Sequence, residues 1–301
     1  MEQHGCRQSS RCSVAEKGFY RAFEDRYRGS RDTIKDRLRV YLLFVAPFKV
    51  LYSDCKAFDL GCGRGEWLEL MTETGFINPH GVDLDEDMLA ACHERGLSVA
   101  KADAIISLQS LPDESQVIVS GFHIAEHIPF DALQVLVSEA LRALKPGGLL
   151  ILETPNPENI VVGTNNFYLD PTHQRPLPMQ LLSFLAEYSG FARTKILRLQ
   201  ESQDLQNIQN VALLHVINGV SPDYALVAQK AGTGDQQPLF DLAFNKTYGF
   251  SLETLSSRHE AGIQQRFAEI EDRVQVLWRI ATPLRAIYSL LRKARIALRS
   301  K

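Results

Sequence analysis

The sequence predicts an α/β fold in which helices cover both faces of a mostly parallel β-sheet. Short apolar runs alternate with amphipathic segments over residues 51–230, the order that builds such a sheet. A glycine-rich turn at 61–65 links the first run to a helix. Acidic residues close three successive runs, and in an open parallel sheet those positions lie along one rim.

Seven apolar runs predict the strands, and four longer segments predict the main helices of this core domain. The strands are expected near 56–60, 78–83, 98–102, 115–121, 148–154, 193–199 and 224–229. The helices are expected near 65–75, 86–95, 130–144 and 178–189. An insertion at 201–222 precedes the last strand, and its apolar spacing predicts one short helix.

Residues 1–50 are expected to form an N-terminal helical cap. The pattern over 16–50 predicts two helical pieces that break at 28–30, with Ser30 as the N-cap of the second. Apolar residues three and four apart give that second piece one amphipathic face, and Pro47 marks its end.

Residues 231–301 are expected to form a helical tail. From Phe267 to Leu291, apolar residues alternate three and four apart, which favours a coiled-coil seam or a docked amphipathic helix. Pro283 is expected to kink or split this helix. Seven basic and no acidic residues lie from Arg279 to Lys301. A basic amphipathic segment is typical of membrane-surface binding, and a solvated helix that mediates homo-oligomerisation is the alternative.

The composition excludes several classes of protein. The chain has 301 residues, 45% of them hydrophobic, enough for one sizeable core with an appendage. A formal net charge of −3 carries no signature of a nucleic-acid-binding protein. The 5 cysteines are an odd number without paired spacing, which favours reduced thiols in a cytoplasmic compartment. No signal peptide and no transmembrane helix are expected, because neither apolar pattern is present.

The turn after the first strand is the most informative motif. Glycines alternate at Gly61, Gly63 and Gly65, and a residue without Cβ lets the backbone approach a ligand closely. The spacing differs from the dinucleotide fingerprint, and the lysine of a phosphate-binding P-loop is absent. Cys62 is interpreted as a small residue that fits this loop rather than as a reactive thiol.

Acidic residues at the ends of the second and third predicted strands, together with this glycine loop, indicate a candidate nucleotide site. Asp83, followed by Leu84, comes 24 residues after Asp59, where a β-α-β unit places an acid beside a ribose. A carboxylate there can accept hydrogen bonds from both ribose hydroxyls. Asp103 closes the third run. A glycine turn alone would also fit a strand–helix connection that binds no ligand.

These motifs resemble the class I S-adenosylmethionine (SAM)-dependent methyltransferases over about residues 55–230. Residues 59–65 match that family's D-x-G-x-G-x-G loop, Asp83 its ribose-binding acid, and Asp103 with Ala104 its adenine contact. Residues 144–151 match its L-K-P-G-G turn into the fifth strand. The resemblance implies a Rossmann-like sheet of seven strands, the last antiparallel, with SAM as cofactor. Nucleotide binding without methyl transfer is the alternative.

The segment after the fourth strand holds the candidate catalytic residues, because the resemblance places the reactive methyl group there. Transfer to a hydroxyl needs an in-line acceptor and a base for its proton. His123, Glu126 and His127 are the candidates, and His127 is preferred, since a Glu-His pair at this place is common in the family. The same residues have the H-x-x-E-H spacing of a zinc protease, but that motif belongs on a helix and is rejected here. No metal is predicted: quinone-pathway O-methyltransferases that bind one carry glutamate at the position of His123.

The long segment at 153–178 is expected to face the acceptor. Segments of this length in a compact domain are usually functional, and this one is rich in hydrogen-bonding and aromatic side chains, which suit a sugar. Tyr168, Asp170 and Arg175 are the substrate-binding candidates, and His173 is the rival base. A loop held only by its own prolines is the alternative.

Two arginines in the N-terminal cap are candidates for the cofactor. Related enzymes often fold an N-terminal helix over SAM, where an arginine can hold the methionine carboxylate through two hydrogen bonds. Arg31 and Arg37 are the residues in position to do so. A solvated basic face is the alternative.

A narrower resemblance involves residues 23–31 and the Asp-Pro-Thr-His-x-Arg-Pro motif at 170–176. Both are similar to methyltransferases of bacterial surface-polysaccharide (O-antigen) biosynthesis. This implies O-methylation of a sugar hydroxyl on a lipid-linked glycan such as lipopolysaccharide, in a chain-terminating step. The enzyme would be cytoplasmic, peripheral on the inner membrane through its tail, and a partner of a glycosyltransferase. A quinone-type small-molecule O-methyltransferase and a non-catalytic SAM-binding scaffold remain the alternatives.

Overall fold

The computed structural model of the chain describes residues 29–208 and 210–299. The strands are β1 Ala57–Leu60, β2 His80–Asp83, β3 Ser98–Lys101, β4 Gln116–Phe122, β5 Leu144–Pro155, β6 Arg193–Leu199 and β7 Asp223–Gln229. The helices are α1 Arg31–Leu38, α2 Leu42–Val45, α3 Phe48–Leu51, α4 Glu66–Glu73, α5 Glu86–Glu94, α6 Ala104–Ser110, α7 Phe130–Ala143, α8 Ile160–Thr164, α9 Met179–Ser189, α10 Asp204–Asn207, α11 Leu213–Asn218, α12 Asp241–Asn245 and α13 Leu252–Arg299. Single 3₁₀ turns lie at Arg39–Tyr41, Ala125–His127 and Asn166–Leu169, and a longer 3₁₀ segment at Gly234–Phe240.

The seven strands form one sheet in the order β3-β2-β1-β4-β5-β7-β6. Only β7 runs antiparallel to its neighbours, β5 and β6. The chain builds outward from β1 through β2 to β3, and then returns to place β4 on the other side of β1. The carboxyl ends of β1 and β4 therefore meet at the point where the winding reverses, the usual position of a ligand in such sheets. This arrangement confirms the predicted α/β fold with its last strand antiparallel.

Helices bury both faces of the sheet, which is why its central strands are apolar throughout. Successive residues of β5 show this: Leu149 and Ile151 pack on the face covered by α1–α4, whereas Leu150 and Leu152 pack on the face covered by α7 and α9. All four side chains are fully buried. The continuous apolar run in the sequence is the consequence of two cores that share one sheet.

Three elements differ from the prediction. Helix α6 was not predicted, because it is short and buries only Leu108; the Asp103 side chain caps it by accepting from the backbone N–H groups of Ile105 and Ile106, both at 2.9 Å. Strand β5 starts at 144, with the predicted turn forming an irregularity in its pairing with β4. The insertion holds two short helices, α10 and α11, instead of one.

The N-terminal cap agrees with the prediction where it is described. The Ser30 hydroxyl accepts a hydrogen bond from the backbone N–H of Thr33 at 3.2 Å, which confirms Ser30 as an N-cap. The predicted helical piece at 16–28 lies outside the described residues. The second helical piece ends at Val45, just before Pro47 as predicted, and Pro47 then serves as the N-cap of the further helix α3.

The compact body extends past residue 230, where the tail was predicted to begin. Phe240 packs on Phe48 with ring centroids 5.1 Å apart, and Phe244 packs on Phe44 at 5.4 Å. Aromatic contacts of this kind belong to the core on the α1–α4 face. Residues 231–250 therefore fold as part of the body, and α13 alone leaves it.

Helix α13 is continuous over 48 residues and runs through Pro283 without a break, so the predicted split is wrong. Leu255 is its last buried residue. Pro283 lies in the exposed part of the helix, with exposed residues on both sides of it. Within the described part of the chain, none of the helices combines the length and apolar character needed to cross a bilayer.

Candidate active site

Two cavities open at the rim where β1 and β4 end. The first, here called the Asp83 cavity, has a volume of about 320 Å³ and is lined by residues that follow β1, β2 and β3. The second, the His173 cavity, has a volume of about 290 Å³ and lies between the N-terminal cap and the loop after β5. Gly61, Phe122, His123 and His127 line both. A ligand that occupied the two cavities would pass these four residues at its middle.

The glycine loop of the Asp83 cavity depends on backbone conformations that favour glycine. Gly61, Gly63 and Gly65 have φ of 65°, 51° and 77°. The backbone N–H of Gly63 donates to Asp83 Oδ2 at 2.8 Å, and the other oxygen accepts from the Asp85 N–H at 2.9 Å. Each oxygen keeps a lone pair, so Asp83 is fixed in place and can still accept from two hydroxyls.

The rest of the Asp83 cavity fits a nucleoside. Leu84, Met88, Ile105 and Ile128 provide apolar walls, and Asp103 with Ala104 closes the cavity beyond β3. Apolar walls with a few placed polar groups are typical of cofactor sites. The predicted residues Asp83, Leu84, Asp103 and Ala104 are thus brought together with Gly61 and Gly63.

Asp59 and Cys62 line the His173 cavity instead. Asp59 is buried, and its Oδ1 accepts from the Ser120 hydroxyl at 2.7 Å. A hydrogen bond with Cys92 and burial both raise the pKa of the Cys62 thiol, so it stays protonated and unreactive. This agrees with the interpretation of Cys62 as a small residue of the loop.

The N-terminal cap contributes Arg37 rather than Arg31 to the His173 cavity. Arg31 lies outside both cavities, because its guanidinium donates to Glu69 Oε2 at 2.6 Å. Beside Arg37, the indole Nε1 of Trp67 is buried without a hydrogen-bond partner among the described residues. A buried donor of this kind is costly unless a ligand accepts its proton, so Arg37 and Trp67 fit the carboxylate end of SAM.

His123 is held as a fixed cation between two buried carboxylates. Its Nδ1 lies 3.1 Å from Glu126 Oε1, and its Nε2 lies 3.6 Å from Glu153 Oε1. Burial alone would lower the pKa of His123, but the bonds to Glu126 and Glu153 outweigh it and hold the pKa well above its ordinary value. The residue also has φ of 57°, an uncommon conformation for a side chain other than glycine. A protonated imidazole cannot act as the base.

Glu126 is a positioning carboxylate that does not reach either cavity. Its side chain is fully buried, and Oε2 accepts from the Thr154 hydroxyl at 2.9 Å. Burial opposes ionisation, but the hydrogen bond from His123 prevails and lowers the pKa of Glu126. The resulting carboxylate balances the His123 cation and lies next to the other two histidines.

His127 has the orientation and charge state of a general base. Its Nδ1 lies 2.9 Å from the Thr172 hydroxyl, which in turn donates to Asp170 Oδ1 at 2.6 Å. Because the hydroxyl gives its only proton to Asp170, it must accept from His127 Nδ1–H, and Nε2 is left with a free lone pair. Burial lowers the pKa of His127, so the ring is neutral at pH 7.

His173 presents the same nitrogen to the same place. Its Nδ1 lies 2.6 Å from the carbonyl of Phe167, which can only accept, so this nitrogen carries the proton. Nε2 lies 4.0 Å from Glu126 Oε1 and 3.9 Å from Asp170 Oδ2. The rings of His127 and His173 meet edge to face with centroids 4.6 Å apart. Both imidazoles therefore line the His173 cavity with Nδ1 already engaged in a hydrogen bond.

Two predicted substrate residues lie outside the cavities, and several cavity residues were not singled out from the sequence. Tyr168 is 64% exposed and packs on Phe167, while the Arg175 guanidinium lies over the ring of Phe130 at 4.4 Å. The polar cavity residues that the sequence analysis did not single out include Glu66, Trp67, Glu153, Asn166, Gln200 and Asp223. Burial raises the pKa of Asp223 to about 6. The one feature of the sequence that could have indicated Asp223 as a cavity residue is its position directly after Pro222, at the start of the antiparallel strand.

Two groups of side chains bring potential metal ligands within 4.8 Å of one another: Glu126 with His127 and His173, and His123 with Glu153 and Asp223. In the first group Nδ1 of each imidazole already makes a hydrogen bond, so Nε2 is the nitrogen that would bind a metal. In the second group Glu126 and Glu153 raise the pKa of His123, so a metal ion would have to displace its proton. The first group could thus hold a divalent ion, although none was predicted. Glu126 and His127 lie in a 3₁₀ turn, not on the helix that a zinc-protease motif needs.

Comparisons with known proteins agree with this geometry. A family described as a methyltransferase domain matches residues 58–152. A SAM-dependent methyltransferase from Archaeoglobus fulgidus is 35% identical in sequence and superposes with a TM-score of 0.62, over 70% of this chain and 100% of that one. A probable SAM-dependent methyltransferase from Mycolicibacterium smegmatis is 29% identical over 66% of this chain and 75% of its own. A trans-aconitate 2-methyltransferase from Sinorhizobium medicae is 34% identical over 46% of this chain and 47% of its own.

Proposed function

This chain belongs to the SAM-dependent methyltransferases, and on that premise we propose that it methylates a sugar hydroxyl of a lipid-linked glycan. SAM supplies an electrophilic methyl group on its sulfonium. The Asp83 cavity would hold the nucleoside and Arg37 the carboxylate, so the methyl group would lie near His123 and His127. The acceptor would enter through the His173 cavity.

The charge of the His173 cavity is the observation that carries this proposal. Its acidic lining residues are Asp59, Glu66, Glu153, Asp170 and Asp223. Arg37 is the one arginine or lysine among the described lining residues. Carboxylates and amides accept hydrogen bonds from hydroxyls, so this lining suits a neutral polyol. An acceptor with several carboxylates, such as the one named for the Sinorhizobium relative, would meet like charges there.

His127 supplies the base that a sugar hydroxyl requires, because burial lowers the pKa of its imidazole and keeps it neutral at pH 7. His127 Nε2 would take the acceptor proton as the oxygen attacks the methyl carbon, and the Thr172–Asp170 pair would stabilise the imidazolium that forms. His173, whose ring centroid lies 4.6 Å from that of His127, lines the same cavity and would help to orient the hydroxyl. His123 and Glu126 would keep the wall of the site rigid as an ion pair whose charges balance.

The test measures cofactor binding and methyl transfer separately. Calorimetry on nucleotide-free protein should show heat with SAM and with S-adenosylhomocysteine. Methyl-labelled SAM is then offered with lipid-linked glycans, free phenols and tricarboxylates, each with and without EDTA. Label in glycans alone supports the proposal; label in phenols or tricarboxylates alone contradicts the glycan acceptor. Binding without transfer to any acceptor would favour a non-catalytic scaffold.

The EDTA arm tests the runner-up function, a quinone-type O-methyltransferase. The cluster of Glu126, His127 and His173 favours that candidate, because it could hold a divalent ion beside the acceptor hydroxyl. This candidate would replace the glycan proposal if the methyl label enters phenols, if EDTA abolishes that transfer and if a divalent ion restores it.

A further inference from the structure

Helix α13 leaves the body of the molecule without a partner for its apolar side chains. Every described side chain after Gly262 is exposed except Ala281, which is half-buried. Phe267, Leu277 and Tyr288 expose 63%, 64% and 70% of their surface. Long helices gain most of their stability from packing of an apolar face, and a contiguous apolar patch of this size marks an interaction surface.

The apolar side chains follow a strict seven-residue repeat. Steps of four and three residues alternate without exception, so they occupy the a and d positions of four successive heptads. The members of this seam are Ile263, Phe267, Ile270, Val274, Leu277, Ala281, Leu284, Tyr288 and Leu291. A repeat of 3.5 residues keeps the seam facing a second helix that coils around the first. The repeat thus specifies a helical partner with the same period.

We propose that the partner is a second copy of this chain, aligned parallel and in register along the seam. In a parallel pair, a g residue faces the e residue five positions later on the other helix. Arg266 and Glu271 occupy those positions, so each copy offers unlike charges to the other. The next such pair, Arg273 and Trp278, places a guanidinium beside an indole. Pro283 falls at a c position, away from the seam, so it does not interrupt the contact.

The size of the seam is sufficient for a stable dimer. Eight large apolar side chains on each copy, at roughly 100 Å² of exposed surface each, would bury about 1,600 Å², the size of a standard specific interface. The acidic residues Glu269, Glu271 and Asp272 flank the first half of the seam and would be repelled by anionic lipids. A second copy covers the full length of the seam, whereas a membrane would suit only its basic end.

Sedimentation equilibrium and light scattering on the full chain test the proposal at micromolar concentration. The wild type should have twice the monomer mass of 33.8 kDa. A seam variant, Leu277→Glu with Leu284→Glu, should be monomeric, with its dissociation constant raised more than 100-fold. The matched control, Val276→Glu with Leu290→Glu, changes the same chemistry at two c positions and should remain dimeric. SAM binding should be unchanged in both, which separates this inference from the proposed function.

Orientation is tested by cysteine cross-linking. Ile263→Cys lies opposite its own copy only in a parallel, in-register pair, and should form a covalent dimer on mild oxidation beyond the wild-type background. Glu269→Cys, on the outer face, should not. A monomeric wild type would overturn the proposal. Co-sedimentation of that monomer with anionic but not neutral vesicles would assign the helix to a membrane surface instead, and equal masses for the seam and control variants would refute the seam.

Discussion

At the scale of single residues, the Thr172 hydroxyl decides which nitrogen of His127 is free to accept a proton. Thr172→Val keeps the shape of the side chain but removes the link between Asp170 and the ring. We expect kcat to fall about 10- to 100-fold with the dissociation constant of SAM unchanged, because the wrong tautomer becomes populated. His127→Ala should cost about 10²- to 10⁴-fold, the usual contribution of a general base. Steady-state kinetics and calorimetry provide both numbers.

Thr172→Ser is the control for this prediction, because it keeps the hydroxyl and removes only the methyl group. Its kcat should return to within about threefold of wild type. The acid limb of the kcat/KM profile provides a second readout: burial lowers the pKa of His127, so the limb should lie below the ordinary histidine value of 6.5. Valine and serine variants with equal activity would show that the relay has no role.

Asp223 links the same site to the pH dependence of stability. Its pKa is raised from 3.8 to about 6 by burial, so the folded state binds this proton more tightly than the unfolded state does. Ionising Asp223 in the folded state therefore lowers the free energy of unfolding. This loss of stability is absent below pH 3.8, grows between the two pKa values and is complete above about pH 6. Asp223→Asn should therefore raise Tm by roughly 2–6 °C at pH 8, with the gain shrinking toward pH 4. A gain that did not change with pH would contradict this account.

At the scale of elements, the turn from β1 into α4 is limited by space as well as by backbone conformation. Gly65 has φ of 77°, and a Cβ there would lie 2.6 Å from Leu97 and 2.8 Å from the Cys92 sulfur. Gly96 has a similar φ of 68°, but a Cβ there would meet nothing within 4 Å. Gly96→Ala should cost about 1 kcal/mol of unfolding free energy from backbone strain alone. Gly65→Ala should cost at least about 2 kcal/mol more, since packed side chains must move.

Urea denaturation of both variants measures these two costs, with m-values to confirm that the unfolding transition is unchanged. SAM binding by Gly65→Ala should weaken in parallel, because Gly63 and Asp83 are tied to the same loop. Equal destabilisation by the two substitutions would mean that the loop relaxes freely and that its glycines serve backbone conformation only.

The elements were predictable wherever burial imposes a period on the sequence. Strands such as Leu149–Leu152 are apolar on both sides because helices cover both faces of the sheet. The continuous apolar run in the sequence therefore predicts a buried strand. Helix α6 escaped prediction because it buries one residue and its stability comes from the Asp103 cap. The split predicted at Pro283 rests on the missing N–H and the bulky ring of proline, but the helix is continuous there.

The site was predictable only in its local part. The contacts that place Gly61, Gly63 and Asp83 join neighbouring elements of the chain. The spacing of these residues in the sequence was therefore enough to predict that they share a site. Glu153 and Asp223 enter the cavity from β5 and β7, which meet only when the antiparallel strand inserts. No spacing in the sequence records that register. Of the two predicted arginines, only Arg37 lines a cavity, and the spacing in the sequence could not distinguish it from Arg31.

At the scale of the whole molecule, the net charge hides a strong separation of charge. The chain carries −3 in total, and the segment from Arg279 to Lys301 contributes +7, so residues 1–278 carry −10. The described part of α13 beyond Gly262 extends roughly 55 Å at 1.5 Å per residue, which keeps most of the basic end away from the acidic body. The body and the exposed helix are thus distinct in charge as well as in packing.

This distinction predicts where the chain can be shortened without loss of the catalytic body. Truncation after Gly262 removes exposed helix, so we expect Tm to change by less than about 2 °C, SAM binding to persist and the dimer to be lost. Truncation after Lys230 removes the Phe240 and Phe244 contacts with α2 and α3, and should lower Tm by more than about 10 °C or abolish folding. Calorimetry and sedimentation on the two proteins distinguish these outcomes. The protein that ends at Gly262 should melt at a higher temperature than the one that ends at Lys230. If both had the same low Tm, the exposed helix would have to stabilise the body through a contact that only the assembled dimer provides.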